Sequence, residues 1–249
     1  MRLTIAFLIP LFFGLFTSGE VQAQSANPIA NRGYYRTQNS GGVFLHTRGM
    51  GAYYRRGWRT TGFSNRIVNV EVLTLRHPKE FKLTNPGASN SRGFFYGKLN
   101  SVVLLRGSFG WQKVKFDKEI KRGVRVSMFT LFGPTFGLAK PVYVDFKPND
   151  SGNSRAEIVR YSTSLHNSGI VEGRAAILYK MGTTKIYPGG HAKFALNFEY
   201  SADDAFIRAI ETGSTLDVFA KRIPIMENTY NDQFYLTLYV AFHFGKRYL

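Results

Sequence analysis

Phe234-Tyr235-Leu236-Thr237-Leu238-Tyr239-Val240-Ala241-Phe242-His243-Phe244 is the stretch that decides the fold. Its first alternating set, Phe234, Leu236, Leu238, Val240, Phe242 and Phe244, is wholly apolar, while Tyr235, Thr237, Tyr239, Ala241 and His243 form a mixed set. A period of two over this length predicts a β-strand. A greasy face opposite a mixed one is what a strand needs when one side meets hydrocarbon and the other a polar lumen. At about 3.3 Å per residue, such a strand crosses a membrane when tilted.

The same alternation recurs upstream. Ala192, Phe194, Leu196, Phe198 and Tyr200 oppose Lys193, Ala195, Asn197 and Glu199, and Val68, Val70 and Val72 oppose Asn69 and Glu71. With these as anchors, eight strands are predicted: Gly42–Tyr54, Ile67–Leu75, Gly93–Trp111, Gly123–Phe132, Leu138–Phe146, Ala192–Tyr200, Ala205–Phe219 and Phe234–Phe244. The expected fold is all-β, an eight-stranded antiparallel up-and-down transmembrane β-barrel, because only closure leaves no unpaired strand edge in lipid. An even count returns both termini to one side. With that side in the periplasm, Gly57–Ser64, Gly110–Arg122, Lys147–Gly190 and Ala220–Asp232 are expected to face outward, and Ser201–Asp204 to be a short inner turn. The segment His77–Arg92 then becomes an unusually long periplasmic connection. Glu172–Met181 is expected as a short helix above the rim.

The chain has 249 residues, 44% of them hydrophobic and 20% charged, so it has the apolar surface to fold and is not a disordered chain. Thirty-three basic residues against sixteen acidic ones give a formal charge of +17, which points to anionic partners. The absence of cysteine excludes disulfides, thiolate metal sites and cysteine nucleophiles. Met1-Arg2, the apolar run Leu3–Phe16 and the ending Val21-Gln22-Ala23 have the order of an export signal, so residues 1–23 are expected as a signal peptide, 24–39 as a periplasmic tail and 40–249 as the barrel. Beyond the leader no apolar run is long enough for a spanning helix. Export disfavours nucleic acid as the partner of the basic charge.

Charged residues on the faces assigned inward, Glu71, Lys98, Arg106, Arg125, Lys193, Glu199 and Glu211, are expected to form a lumenal ion-pair lattice, since side chains fill an eight-stranded interior. Such a core makes a plug and not a pore. Arg55, Arg56, Arg59, Lys113 and Lys115, with Lys118, Lys121 and Arg122 nearby, are expected to contact anionic lipid, lipopolysaccharide included, through phosphate. His77, Pro78, Lys79 and Glu80 are expected to contact an envelope protein partner from the periplasm. The five histidines show no metal-binding spacing, and no cofactor or metal is expected.

Val70-Glu71-Val72 through His77-Pro78-Lys79-Glu80, Gly97-Lys98-Leu99-Asn100, Gly137-Leu138-Ala139-Lys140-Pro141-Val142-Tyr143, Tyr187-Pro188-Gly189, Glu211-Thr212-Gly213 and Phe242-His243-Phe244-Gly245-Lys246-Arg247 together resemble small outer-membrane β-barrel proteins of the Bacteroidota, in the broad class of the PorT-like and PorG-like barrels associated with type IX secretion. The resemblance implies no catalytic residues. It implies a non-enzymatic cell outer membrane protein that acts as an anchor or accessory subunit of an envelope machine. Two other readings stay open. His166-Asn167-Ser168 gives an H-x-S triplet similar to that of outer-membrane lipid A deacylases, with Glu157 or Glu172 to orient the base. A soluble, secreted lipocalin-like binder would show the same alternation with its polarity inverted.

Overall fold

A computed structural model describes residues 35–84, 93–118, 123–148, 156–165, 169–176 and 179–249. Eight strands close an antiparallel barrel: β1 (Thr37–His46), β2 (Gly49–Arg59), β3 (Ser64–Leu75), β6 (Asn100–Phe116), β7 (Arg125–Pro141), β11 (Lys185–Glu199), β12 (Phe206–Phe219) and β13 (Phe234–Tyr248). Each pairs with its neighbour in sequence order around the wall, and β13 closes onto β1, from Thr37 opposite Tyr248 to His46 opposite Tyr239. The remaining strands lie outside the wall. A short pair joins β4 (Lys82–Leu83) to β5 (Phe94–Phe95), and a three-stranded sheet sets β8 (Tyr143–Pro148) between β9 (Glu157–Arg160) and β10 (Gly169–Arg174).

The polarity of the wall follows the alternation read from the sequence. On β13 the phenylalanine, leucine and valine set is exposed and Tyr235, Thr237, Tyr239, Ala241 and His243 are buried. On β3, Val68, Val70 and Val72 face out while Asn69 and Glu71 are buried. A soluble lipocalin-like binder has the opposite arrangement, with a dry apolar interior and a wet exterior, so the soluble reading is overturned.

The strand boundaries differ from expectation in two places that compensate. Gly42–Tyr54 is not one strand: it holds the end of β1, the two-residue turn Thr47-Arg48 and the start of β2, with His46 paired to Gly49. Gly49 has φ of 151°, and a Cβ there would collide with the Thr74 carbonyl, so the turn exit needs glycine. Conversely, Gly133-Pro134 does not end a strand. β7 runs through it, because the ladder to β6 jumps from Arg106–Thr135 to Phe109–Phe132, and the missing N–H of Pro134 interrupts no bond on that side. Leu138–Phe146 is therefore not a wall strand: its first part finishes β7 and the rest enters β8.

Splitting one strand and fusing two others keeps the count at eight but flips the direction of the intervening strands. Residues 60–63, 117–124 and 200–205 connect strands at the end that holds both termini of the barrel. Residues 76–99, 142–184 and 220–233 all connect strands at the opposite end. Gly57–Ser64 and the described part of Gly110–Arg122 thus lie toward the terminus end, and the described part of His77–Arg92 joins the other long connections. The long periplasmic connection expected from the sequence disappears, and the long connections all gather at one end. The wall begins at Thr37, inside the expected 24–39 tail, while the leader and residues 24–34 lie outside the described residues. The short helix expected over Glu172–Met181 is instead β10 followed by a 3-10 turn at Met181–Thr183.

Candidate functional site: a charge-filled lumen beneath a capped mouth

Midway along the barrel, inward positions on β2, β3, β6, β11 and β12 bring three cations against three carboxylates. The Arg55 guanidinium donates to both oxygens of Glu211, at 2.7 and 3.1 Å, with both side chains fully buried. Lys193 Nζ lies 2.5 Å from Glu71 and 3.8 Å from Glu211, bridging the two. Arg106 completes the chain, with Nη1 3.1 Å from Glu71 and Nη2 2.5 Å from Asp217. Neutral groups saturate the rest: Tyr239 donates to Glu211 at 2.7 Å, Asn69 to Glu71 at 2.9 Å, and Thr135 to Asp217 at 3.3 Å. His191 sits between Ser108 and Thr135, at 2.9 and 2.8 Å, and His243 meets the Tyr53 hydroxyl at 2.6 Å. Buried charge is tolerable only when paired and hydrogen-bonded in this way.

A second tier closes the terminus end. Glu199 receives Arg125, Arg247 and Lys118, while Asp117 and Asp204 also pair with Arg125. Lys118 further donates to the Ser201 carbonyl. Toward the other end the lumen turns apolar. Phe44, Leu73, Leu75, Val102, Leu104 and Phe219 line it, and Ile223, Ile225 and Met226 from the β12–β13 connection pack into it as a stopper.

Of the residues expected in the lattice, Glu71, Arg106, Lys193 and Glu211 share the middle tier, and Arg125 and Glu199 meet in the lower one. Lys98 belongs to neither: it lies beyond the wall strands, 2.6 Å from Glu80 and over the Phe95 ring. Burial pushes its ammonium below the ordinary value, against the pull of Glu80. Arg55 is a correction of the opposite kind. Instead of meeting lipid from an outer loop it is fully buried in the lumen, because β2 runs on to Arg59 and the alternation sends Arg55 inward and Arg56 outward. Lys118 is likewise internal, and Lys121 and Arg122 lie outside the described residues. Arg56, Arg59, Lys113 and Lys115 are exposed, at the terminus end. Asp217 escapes the sequence reading although its signal is present: it continues the inward alternation of Glu211, Gly213 and Thr215 on β12, between the outward Leu216 and Val218.

His77, Pro78, Lys79 and Glu80 sit at the long-connection end, not at the end expected for them. Glu80 accepts from the His77 backbone N–H at 3.1 Å and His77 Nδ1 accepts from that of Lys79 at 3.2 Å, so two of the four are used within their own turn. The three long connections are stitched together there. Leu99 and Glu227 donate backbone N–H groups to Ile225 and Gly97, Gly97 donates to the Tyr161 hydroxyl, and Thr163 donates to Glu227. Phe94, Val142, Val144, Phe146, Tyr161 and Val171 form a separate apolar core beneath the β8–β9–β10 sheet. His166 and Ser168 of the H-x-S triplet lie outside the described residues. Among the described residues no group of three His, Asp or Glu side chains is placed to hold a metal.

A closed barrel with an apolar exterior and an ionic, filled interior defines the class: an eight-stranded transmembrane β-barrel of the outer-membrane type. No protein-family model and no curated protein matches the chain. Among solved structures the chain is similar to Ail, the attachment invasion locus protein of Yersinia pestis, in complex with the heparin analogue sucrose octasulfate, at 9% identity over 86% of this chain and 99% of that one, with a TM-score of 0.42. It is also similar to Neisserial surface protein A, at 8% identity over 86% of this chain and 97% of that one, with a TM-score of 0.44.

Proposed function

We propose that this protein is a non-catalytic outer-membrane anchor whose capped end docks an envelope protein, in the manner of an accessory subunit of a secretion or assembly machine such as those served by PorT-like and PorG-like barrels. In this proposal the terminus end faces the periplasm and the cap faces outward, as the rule of short periplasmic turns and long outer connections requires. The filled lumen supports binding over transport: the mouth is stoppered by Ile223 and Ile225, and two tiers of ion pairs lie below.

The observation that carries the proposal is the two-faced β8–β9–β10 sheet. Val144, Phe146, Val159 and Val171 turn toward the cap's own core. The register places Ile158 opposite Asp145 and Ile170 opposite Lys147 on the other face, and both isoleucines are exposed. Exposed β-branched side chains interleaved with charge suit a protein contact better than free solvent. Affinity capture from detergent-solubilised envelopes, followed by identification of co-purifying proteins, tests this. The wild-type chain is expected to retain a defined partner that Ile158→Asp/Ile170→Asp loses; capture unchanged by that double substitution refutes the assignment of the face.

A further inference from the structure

The outward wall of the barrel is electrostatically one-sided. Every acidic residue on the eight wall strands, Glu71, Glu199, Glu211 and Asp217, points inward and is buried. The outward cations do not spread evenly. Arg56, Arg66, Lys113, Lys115, Arg208 and Lys246 are exposed near the strand ends at the terminus end, with Arg59 exposed at the last position of β2 on its inward register, whereas Lys140 alone occupies an outward position near the other rim and Lys185, opposite Ala139, is exposed at the mouth on the inward register. Between the two rims the outward face is uncharged, from Val70 and Val72 through Phe132 and Leu196 to Leu238 and Val240.

The cations are interleaved with rings. Arg66 is the register partner of Trp58 on one side and Trp111 on the other. Lys246 pairs across with Phe206 and lies 5.7 Å from both the Phe206 and Tyr248 rings, Arg208 pairs with Phe244, and the Arg56 guanidinium lies 5.5 Å from the Trp58 ring. Among the described residues Arg56, Arg66, Lys113, Lys115, Arg208 and Lys246 form no salt bridge with any carboxylate, while Arg59 donates to the Thr61 and Gly62 carbonyls of its own turn. Aromatic rings settle at the headgroup level of a bilayer, so their presence in the same rows sets the cations at phosphate depth.

We infer that this girdle is a binding surface for anionic glycerophospholipid headgroups in the leaflet at the terminus end. The charge demands an anion, the flanking rings fix the depth, and the acid-free wall leaves the cations without a competing carboxylate. Arg66 and Arg208 can each take a phosphate with two N–H groups at once, and the lysines add point charges. The inference rests on the transmembrane reading of the barrel and on the orientation proposed above, but not on the cap's partner. Its failure and that of the protein-docking proposal are separable, because the two concern opposite ends and use different readouts.

The test uses the full chain purified in a neutral detergent and incubated with phosphatidylglycerol, phosphatidylcholine or purified lipopolysaccharide, with bound lipid counted by native mass spectrometry. Wild-type protein is expected to retain phosphatidylglycerol over phosphatidylcholine, the more so at low salt. Arg66→Gln/Lys113→Gln and Arg208→Gln/Lys246→Gln, on opposite parts of the wall, are each expected to weaken that preference by about fivefold per charge removed. Lys140→Gln/Lys185→Gln is expected to leave it unchanged. Arg66→Lys/Arg208→Lys is expected to keep most of it. Heat-dependent gel mobility establishes that each variant is folded, and either glutamine pair alone suffices if the other fails to fold. Equal retention of the two phospholipids overturns the inference. So does lipopolysaccharide binding that the glutamine pairs abolish while phosphatidylglycerol binding persists.

Discussion

Glu211→Gln perturbs the lumen where its electrostatics are most tightly balanced. Glu211 and Arg55 are both fully buried and bonded through two contacts, and the same carboxylate accepts the Tyr239 hydroxyl and lies 3.8 Å from Lys193. The amide keeps the shape and one acceptor oxygen but removes the charge, turning a balance of three cations and three carboxylates into three against two. Arg55 then has no carboxylate within ion-pair range, since Glu71 and Asp217 are engaged by Lys193 and Arg106. Removing one partner of a buried pair costs about 3–5 kcal/mol. Urea titration of the barrel folded into lipid vesicles measures this directly, with emission from Trp58 and Trp111 as the signal, because both indoles lie on the outward wall and lose their lipid environment on unfolding. Arg55→Met/Glu211→Leu supplies the control. It removes both charges with similar volume, an exchange that is often close to neutral, so it is expected to be more stable than Glu211→Gln alone. A loss below about 1 kcal/mol for Glu211→Gln, or a double variant no better than the single one, refutes the claim that pairing and not packing holds this tier.

Leu238→Lys, on the outward face midway along β13, is expected to lower stability in the same assay by about 2–4 kcal/mol, and Tyr248→Lys at the strand's end by about 0–1 kcal/mol; equal losses contradict a hydrocarbon belt centred on the wall. Gly49→Ala places a Cβ against the Thr74 carbonyl at a positive φ and is expected to destabilise the barrel by about 1–3 kcal/mol, read from its urea midpoint. In planar bilayers the wild-type chain is expected to give no stepwise conductance, because Phe44, Leu104, Phe219, Ile223 and Ile225 close the mouth above the ion pairs; steady open-channel currents contradict a sealed lumen.

Polarity was more legible than direction. The alternation in β3, β11 and β13 placed Glu71, Lys193, Glu199 and their greasy neighbours on the correct faces, because period two is a local property that a few residues declare. Boundaries were not local in the same sense. Thr47-Arg48 lacks the Asn-Gly or Asp-Gly dipeptide that marks a tight hairpin, and its signal, Gly49 just after, is one glycine among several. Gly133-Pro134 carries strong turn chemistry and yet lies within a strand, since the ladder to β6 skips the two rungs at Gly107 and Ser108 opposite it. Each error alone would have given an odd number of wall strands; together they preserved the count and inverted the side of everything between them. Arg55 was misplaced for the same reason: a residue's face depends on which strand owns it. Lys98 followed an inward alternation carried too far, past the point where β6 begins at Asn100.

The net charge resolves into populations with different physics. In the lumen and at its lower end six cations, Arg55, Arg106, Lys193, Arg125, Arg247 and Lys118, face six carboxylates, Glu71, Glu211, Asp217, Glu199, Asp117 and Asp204. The fully buried middle tier, three cations against three carboxylates, is neutral because a low-dielectric core leaves no alternative: an unmatched charge there would cost several kcal/mol, whereas Asp117 and Asp204 at the lower end stay partly exposed. The excess of basic over acidic side chains among the described residues therefore resides outside the lumen. On the wall it gathers where aromatic rings set the headgroup depth and is absent between the rims, where each charge would cost about 2–4 kcal/mol. The same two constraints, neutrality within and exclusion from hydrocarbon, leave the rims and the connections as the places where basic residues can accumulate. An anionic lipid leaflet at one end is the environment in which that accumulation stabilises the barrel instead of opposing it, which is why neutralising the girdle is expected to weaken lipid retention while the lumen and its stability in neutral detergent stay as they are.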